Sequence, residues 1–187
     1  MLNKRIEILG CTASGKTTLC HTLNELGWNA IYEPYIQNPF LEKFFYGEKC
    51  SFELQMCFLL QHFNAIETKS FASKNICDFS FALDSLYASI LLDKQEKIVY
   101  DNLYDYFISK IGRPYCLIKL TCPDDVIVDR LQRRNRDYES NINLDFLKKL
   151  NKGATDFTTS EYCIEIDSSK IDISKADEVK KHLLSSI

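Results

Sequence analysis

The sequence predicts an α/β domain, a parallel sheet covered by helices on both faces. Three observations carry this expectation. Short runs rich in β-branched or aromatic residues recur, longer segments of helical periodicity separate them, and a glycine-rich loop follows the first run. The chain has 187 residues, 45% hydrophobic and 26% charged, which is ordinary for one globular domain. No repeat, low-complexity tract or linker divides it, so residues 1–187 read as a single unit.

The elements follow in order. Residues 5–9, "RIEIL", form the first expected strand, and "GCTASGKT" leads from it into the helical "TLCHTLNEL". Residues 29–33, "NAIYE", form the second strand, stopped by Pro34. Residues 36–71 hold a short helical piece and then a long helix, "SFELQMCFLLQHFNAIE". Phe52, Met56, Leu59, Phe63 and Ile66 make one apolar stripe on that helix, and Leu54, Cys57 and Phe58 spread apolar character to its other faces. Such a helix is covered either by a second copy of the chain or by the domain's own core. Residues 75–79, "NICDF", 115–121, "YCLIKLT", and 162–167, "YCIEID", are the remaining strands.

Bulk properties exclude several roles. A net charge of −3 argues against a broad basic surface for a nucleic-acid polymer, so any anion site is a local pocket. No run approaches the roughly 20 apolar residues of a membrane span. The first apolar run is too short for a secretory leader. The eight cysteines form no CxxC pair and several lie inside apolar runs. They read as free, buried thiols in a reducing cytoplasm.

The loop carries the first chemistry. Gly10, Cys11, Thr12, Ala13, Ser14, Gly15, Lys16 and Thr17 fit G-x-x-x-x-G-K-[ST] between a strand and a helix, and Thr18 continues into the helix. The glycines allow backbone N–H groups to turn inward around phosphates, and the helix N-terminus adds positive potential. Lys16 reaches the β- and γ-phosphates and the Thr17 hydroxyl ligates Mg²⁺. The expected ligand is ATP.

The destination of the phosphoryl group depends on what faces that loop. Asp78, at the carboxyl end of the third strand, is placed to take a proton from an attacking hydroxyl, with Ser80 available to cap the next helix. Glu33 brings a second carboxylate to the same edge. No arginine occurs between Arg5 and Arg113, so the acceptor pocket is poor in cations and suits a neutral acceptor better than a monophosphate. Arginines then cluster in "DRLQRRNRDYES", where Arg130, Arg134 and Arg136 suit a lid over about residues 130–140 that neutralises transferring charge. Gln55 matches a bidentate reader of an adenine edge. His62 shares its helix face and reads as a core histidine or a pocket residue; Asp84 reads as a base contact or a favourable charge at a helix start.

Taken together, "GCTASGKTTL", "EPYIQNPFLEKFF", "FELQMCFLLQHF", "CDFSFALDSLYA" and "RLQRRNRDYESNINLDFLKKLN" resemble the deoxynucleoside kinase family, in the family's order and over most of the chain. The resemblance implies a three-layer α/β/α phosphate-loop kinase fold with a five-stranded parallel sheet of order 2-3-1-4-5, Mg-ATP as donor, and a homodimer. It implies that Asp78 deprotonates the 5′-hydroxyl and that Glu33 also holds it. Tyr46 and Glu139 would grip the deoxyribose 3′-hydroxyl, Gln55 would read the base, Asp84 would serve purine recognition, and Arg130, Arg134 and Arg136 would act from the lid. Two positions depart from the pattern: Phe79 stands where many members carry arginine, and so does His62. A pocket with Gln55 and Asp84 but without those cations suits a purine, deoxyadenosine by this reading. The alternatives are a nucleoside monophosphate kinase of thymidylate kinase type and a non-catalytic nucleotide-binding protein.

Overall fold

The computed structural model describes residues 4–69, 72 and 74–184. Positions 70, 71 and 73 and both chain ends lie outside it, including Phe71, the last residue of the expected long-helix segment. Five parallel strands form one sheet in the order β2-β3-β1-β4-β5, as the resemblance implies. They are β1 (Lys4–Leu9), β2 (Asn29–Ile31), β3 (Lys74–Cys77), β4 (Cys116–Thr121) and β5 (Cys163–Asp167). Ile6 stands opposite Ile76 on β3 and Cys116 on β4, so β1 lies at the centre.

The helices are α1 (Lys16–Glu25), α2 (Leu41–Phe45), α3 (Ser51–Lys69), α4 (Phe81–Leu91), α5 (Lys94–Ile111), α6 (Asp124–Arg134), α7 (Leu144–Thr155) and α8 (Ala176–Val179). Strand alternation sorts the core into two faces. Ile6, Ile8, Ile118 and Leu120 pack with Leu19, Cys20 and Leu23 of α1 and Val179 of α8. On the other face Ile31, Cys77 and Phe79 meet α3, α4 and α5, while Leu9 meets α4, α6 and α7. Helices therefore cover both sides of a sheet whose inner strands β1, β3 and β4 are buried over most of their length, while the edge strands β2 and β5 are only partly buried.

Two strands end earlier than expected. β2 stops at Ile31 rather than Glu33, and β3 at Cys77 rather than Phe79. The Asp78 N–H still bonds Ile31 O at 3.2 Å, but the Glu33 N–H donates to the Asp78 side chain at 2.6 Å instead of to a ladder carbonyl. A carboxylate has taken over the next rung, and Pro34 supplies no donor for another. Both acids consequently sit just past the strand ends.

The buried face of α3 is also rotated from the expected stripe. Leu54, Gln55, Leu59, His62, Ala65 and Ile66 are buried, while Phe52, Met56 and Phe63 are only partly so. Gln55 and His62 point into the protein, and Leu60 on the far side is half exposed. All eight cysteines are free and six of them are buried. Among the described residues no helix is long and apolar enough to cross a membrane.

Candidate functional site

The loop from Gly10 to Thr17 wraps the start of α1 in the conformation its glycines permit. Gly15 has φ +106°, and a Cβ there would lie 2.5 Å from the Ile173 side chain. A Cβ on Gly10 would lie 2.6 Å from Ser14 Oγ and 2.9 Å from the Leu120 carbonyl oxygen. Ala13 shares the left-handed region at φ +60°. Alternating handedness of this kind turns successive N–H groups toward one point. No side chain caps α1 and its first turn holds no acid, so the positive end of the helix is left for an anion. Lys16 Nζ donates to the Gly10 and Cys11 carbonyl oxygens at 3.0 and 3.1 Å. Burial pushes its pKa down, against the opposing charge of Glu33. Cys11 is a packing residue, its Sγ 3.9 Å from the Leu147 carbonyl oxygen.

The loop forms the floor of the larger of two adjoining cavities. Thr17, Asp78, the arginines Arg130, Arg134 and Arg136, and the segment from Ser168 to Ser174 complete it. Arg130 is a strut: it donates to the Ser14 carbonyl at 3.2 Å, to Ser168 Oγ at 3.0 Å and to the Ser168 carbonyl at 2.7 Å. It thereby ties α6 to the phosphate loop and to the chain after β5. Arg134 is the last residue of α6, and Arg136 follows the C-cap Asn135, which takes the left-handed conformation. Arg134 pairs through two nitrogens with Glu139, whose side chain is 6% exposed, and its Nη2 also reaches Thr12 Oγ1 at 3.2 Å. The Arg136 guanidinium lies 4.3 Å from the ring centre of Tyr35. Glu139, expected at the sugar, pairs here with Arg134 and Arg136. Arg133 of the same cluster pairs with Asp129 at the surface.

Asp78 is 5% exposed and fully engaged. It accepts from the Thr17 hydroxyl at 2.8 Å and from the Glu33 N–H at 2.6 Å. Burial raises its pKa above the usual carboxylate range, against the pull of those two donors. Glu33 behaves oppositely. Burial works to raise it, but a hydrogen bond from His62 and the charge of that ring outweigh burial and hold the carboxyl low. Two neighbouring carboxyls with pKa values pushed apart are what proton-transfer chemistry uses.

The second cavity adjoins the first. Thr12, Lys16, Glu33, Tyr35 and Arg136 line both, so these residues stand at the junction. Its walls are mainly apolar and aromatic, including Phe44, Phe45, Phe58, Tyr87 and Phe146, with Gln55, Asp84 and Glu139 among the polar residues. Gln55 is 3% exposed and lines this cavity from α3. Asp84 lies in the first turn of α4, behind the Ser80 hydroxyl that caps the helix by accepting from the Leu83 N–H. Phe79 lines this cavity as a buried apolar residue, its ring stacked on His62 at 4.0 Å. Tyr46, expected at the sugar, stands at the end of α2. It is 61% exposed and absent from the cavity wall, because α2 ends there and Gly47, at φ +89°, turns the chain away.

Several wall residues were missed by sequence reasoning. Tyr35 could have been found two residues past Glu33, and Tyr87 three residues past Asp84 on the same face of α4. The contribution of Tyr138, stacked on Phe45 at 5.4 Å, has no local signal.

The comparisons agree with this geometry. The family model described as deoxynucleoside kinase matches residues 6–187. A deoxyguanosine kinase of Bacillus subtilis is 28% identical over 152 residues, 78% of this chain and 73% of that protein. A deoxyadenosine/deoxycytidine kinase of the same organism is 32% identical over 148 residues, 73% of this chain and 68% of that one. A deoxyadenosine kinase from M. mycoides, solved with bound dCTP, superposes with a TM-score of 0.82 at 21% identity, covering 98% of this chain and all of that one. The sheet order, the phosphate loop meeting an acid-edged cavity, and a match running nearly the whole length converge: the chain belongs to the deoxynucleoside kinase family.

Proposed function

We propose that the protein moves the γ-phosphoryl group of ATP, with Mg²⁺, to the 5′-hydroxyl of a deoxynucleoside, deoxyadenosine being the preferred acceptor. The observation that carries this reading is the junction of the cavities. Lys16 and Glu33 line both, and Asp78 is hydrogen-bonded to the Glu33 backbone there. An alcohol at that junction meets a carboxylate of raised pKa on one side and the phosphate loop on the other. Asp78 would take the hydroxyl proton and Glu33 would orient the oxygen. Lys16, Arg134 and Arg136 would neutralise the transferring group, with Arg130 holding the lid base on the loop. The Thr17 hydroxyl is the hard oxygen donor that Mg²⁺ selects, and it would hold the ion, whose charge offsets that of the triphosphate.

The acceptor cavity has three carboxylates, Glu33, Asp84 and Glu139, against Lys16 and Arg136 at the junction. That balance supports a neutral nucleoside over a nucleoside monophosphate. Gln55 supports adenine, whose N6 and N7 form a donor and acceptor pair matching its amide, and an Asp84 oxygen would accept the second N6 hydrogen. Glu139 would exchange its arginine partners for the 3′-hydroxyl. The reading includes a homodimer, supported by α3 and α5, which pack together and leave Leu60, Ile98, Val99 and Tyr106 exposed. It also includes a reducing cytoplasm, supported by the eight free thiols.

The test is ADP release with ATP and each of the four deoxynucleosides, adenosine and thymidine monophosphate. Turnover highest with deoxyadenosine and negligible with the monophosphate is the expected result. Turnover with the monophosphate alone replaces the reading by a monophosphate kinase, and no acceptor-dependent ADP release with any of them removes the enzyme.

A further inference from the structure

His62 lies behind the acceptor cavity rather than in its wall. It is 1% exposed, and one ring face is closed by Phe79 at 4.0 Å with an interplanar angle of 10°. Its edge is spent at both ends. Nδ1 lies 2.7 Å from Asp84 Oδ2 and Nε2 lies 3.1 Å from Glu33 Oε1. Glu33 and Asp84 both line the cavity. The ring therefore has no nitrogen left to offer a base, which removes the pocket-contact role for this position.

We propose that His62 is a positioning residue, a bridge from the base-side acid Asp84 that holds the Glu33 carboxylate at the junction where the acceptor hydroxyl reacts. The inference rests on the proposed function above. Two ionised carboxylates accept only, so both bonds form together only when both ring nitrogens carry hydrogen. A neutral imidazole supports one bond and leaves the other acid facing a lone pair. The environment favours the doubly protonated ring: burial opposes the charge, but Asp84 and Glu33 overcome it and raise the pKa to about 10. Charged groups acting on the bridge from other elements include Lys16 and Arg136 on Glu33, and Lys16 and Glu7 on Asp84, whose own pKa burial raises against the pull of the ring. With its oxygen tied to the ring, Glu33 keeps its second oxygen and a single orientation for substrate. The bridge spans three elements: the turn after β2, helix α3 and helix α4. Phe79 keeps the ring in plane, its face stacked on the imidazolium. The two departures from the family pattern are thus one packed unit.

The test is a double-mutant cycle of His62→Gln and Glu33→Gln in the full chain, read as kcat and KM for deoxyadenosine, with thermal melts as a fold check. If His62 acts through Glu33, His62→Gln lowers kcat by about 10- to 100-fold, the cost of misplacing a reacting group, with the acceptor KM changed much less. In the Glu33→Gln background the same substitution then costs little more. Multiplied losses in the double variant, or a KM effect without a kcat effect, overturn the bridge. His62→Arg guards against a folding defect: a guanidinium can donate to both acids, so folded His62→Arg is expected to recover kcat above His62→Gln, and failure to do so counts against the proposal. An unmutated protein that phosphorylates no deoxynucleoside overturns the functional reading itself, and that result is distinct from additive losses in an active enzyme.

Discussion

Replacing Asp78 by asparagine separates what the carboxylate does for catalysis from what it costs the fold. Asparagine has nearly the same shape, so its oxygen can still accept the Glu33 N–H that the structure places 2.6 Å from Oδ1. Its amide faces Thr17, whose hydroxyl can rotate from donor to acceptor across the same 2.8 Å. The two contacts survive as neutral hydrogen bonds, each losing about 1 kcal/mol relative to a charged acceptor. Against that loss, the buried charge disappears. Asp78 has its pKa raised by burial, so its ionised form is less stable in the folded protein than in the unfolded chain, and a neutral residue is relieved of that penalty. The melting temperature is therefore expected to hold or rise. Catalysis is expected to fall by about 10²- to 10⁴-fold, the usual contribution of a positioned general base and equivalent to about 3 to 5 kcal/mol of barrier. Steady-state kcat with deoxyadenosine, calorimetric ATP affinity and a thermal melt measured on one preparation decide it. Turnover within a few-fold of the unmutated protein, with ATP binding intact, refutes Asp78 as the base. A large drop in melting temperature refutes the account of its burial.

Three further expectations come from the same geometry. Gly10→Ala places a Cβ 2.6 Å from Ser14 Oγ and 2.9 Å from a backbone oxygen, so the loop must shift; destabilisation of about 1–3 kcal/mol in urea and loss of ATP affinity by calorimetry are expected. Glu139→Gln is expected to raise the acceptor KM for deoxyadenosine and to leave that for 2′,3′-dideoxyadenosine nearly unchanged, because the second substrate lacks the hydroxyl that Glu139 would hold. Unfolding free energy is expected to decline as pH rises above about 6.5, because the folded protein still holds the His62 proton that an unfolded imidazole has released, and this loss continues toward pH 10. The slope is at most about 1.4 kcal/mol per pH unit. Below about pH 8.5 it is separable from thiol ionisation, and His62→Gln is expected to abolish it in urea melts across that interval.

Much of this molecule was legible before any coordinates. The phosphate loop is largely a local device: Gly10 meets Ser14 within the loop and Gly15 has φ +106°, and the motif records both, while the Leu120 and Ile173 contacts are added by packing. The alternation of strands and helices is also local, and the resemblance supplied the sheet order. The strand ends were not legible, because β2 and β3 stop where a side chain, Asp78, intercepts a backbone donor 45 residues away. The placement of Tyr46, 61% exposed at the end of α2 and outside the cavity wall, depends on how that segment packs and was not legible from its neighbours. Gln55 was found by its polarity on an apolar helix, and the structure gives it a cavity to face.

The sequence by itself determined the class of fold, the phosphate-binding loop and the presence of acids at the sheet edge, since each depends on residues adjacent in the chain or on periodicity within one element. Only the tertiary structure decided what those acids hold. Glu33 with His62, His62 with Asp84, and Arg134 with Thr12 are pairs separated by 29, 22 and 122 residues. Such contacts exist only once packing has brought separate elements together, and whether a buried polar group meets a partner or a cavity is settled by that approach.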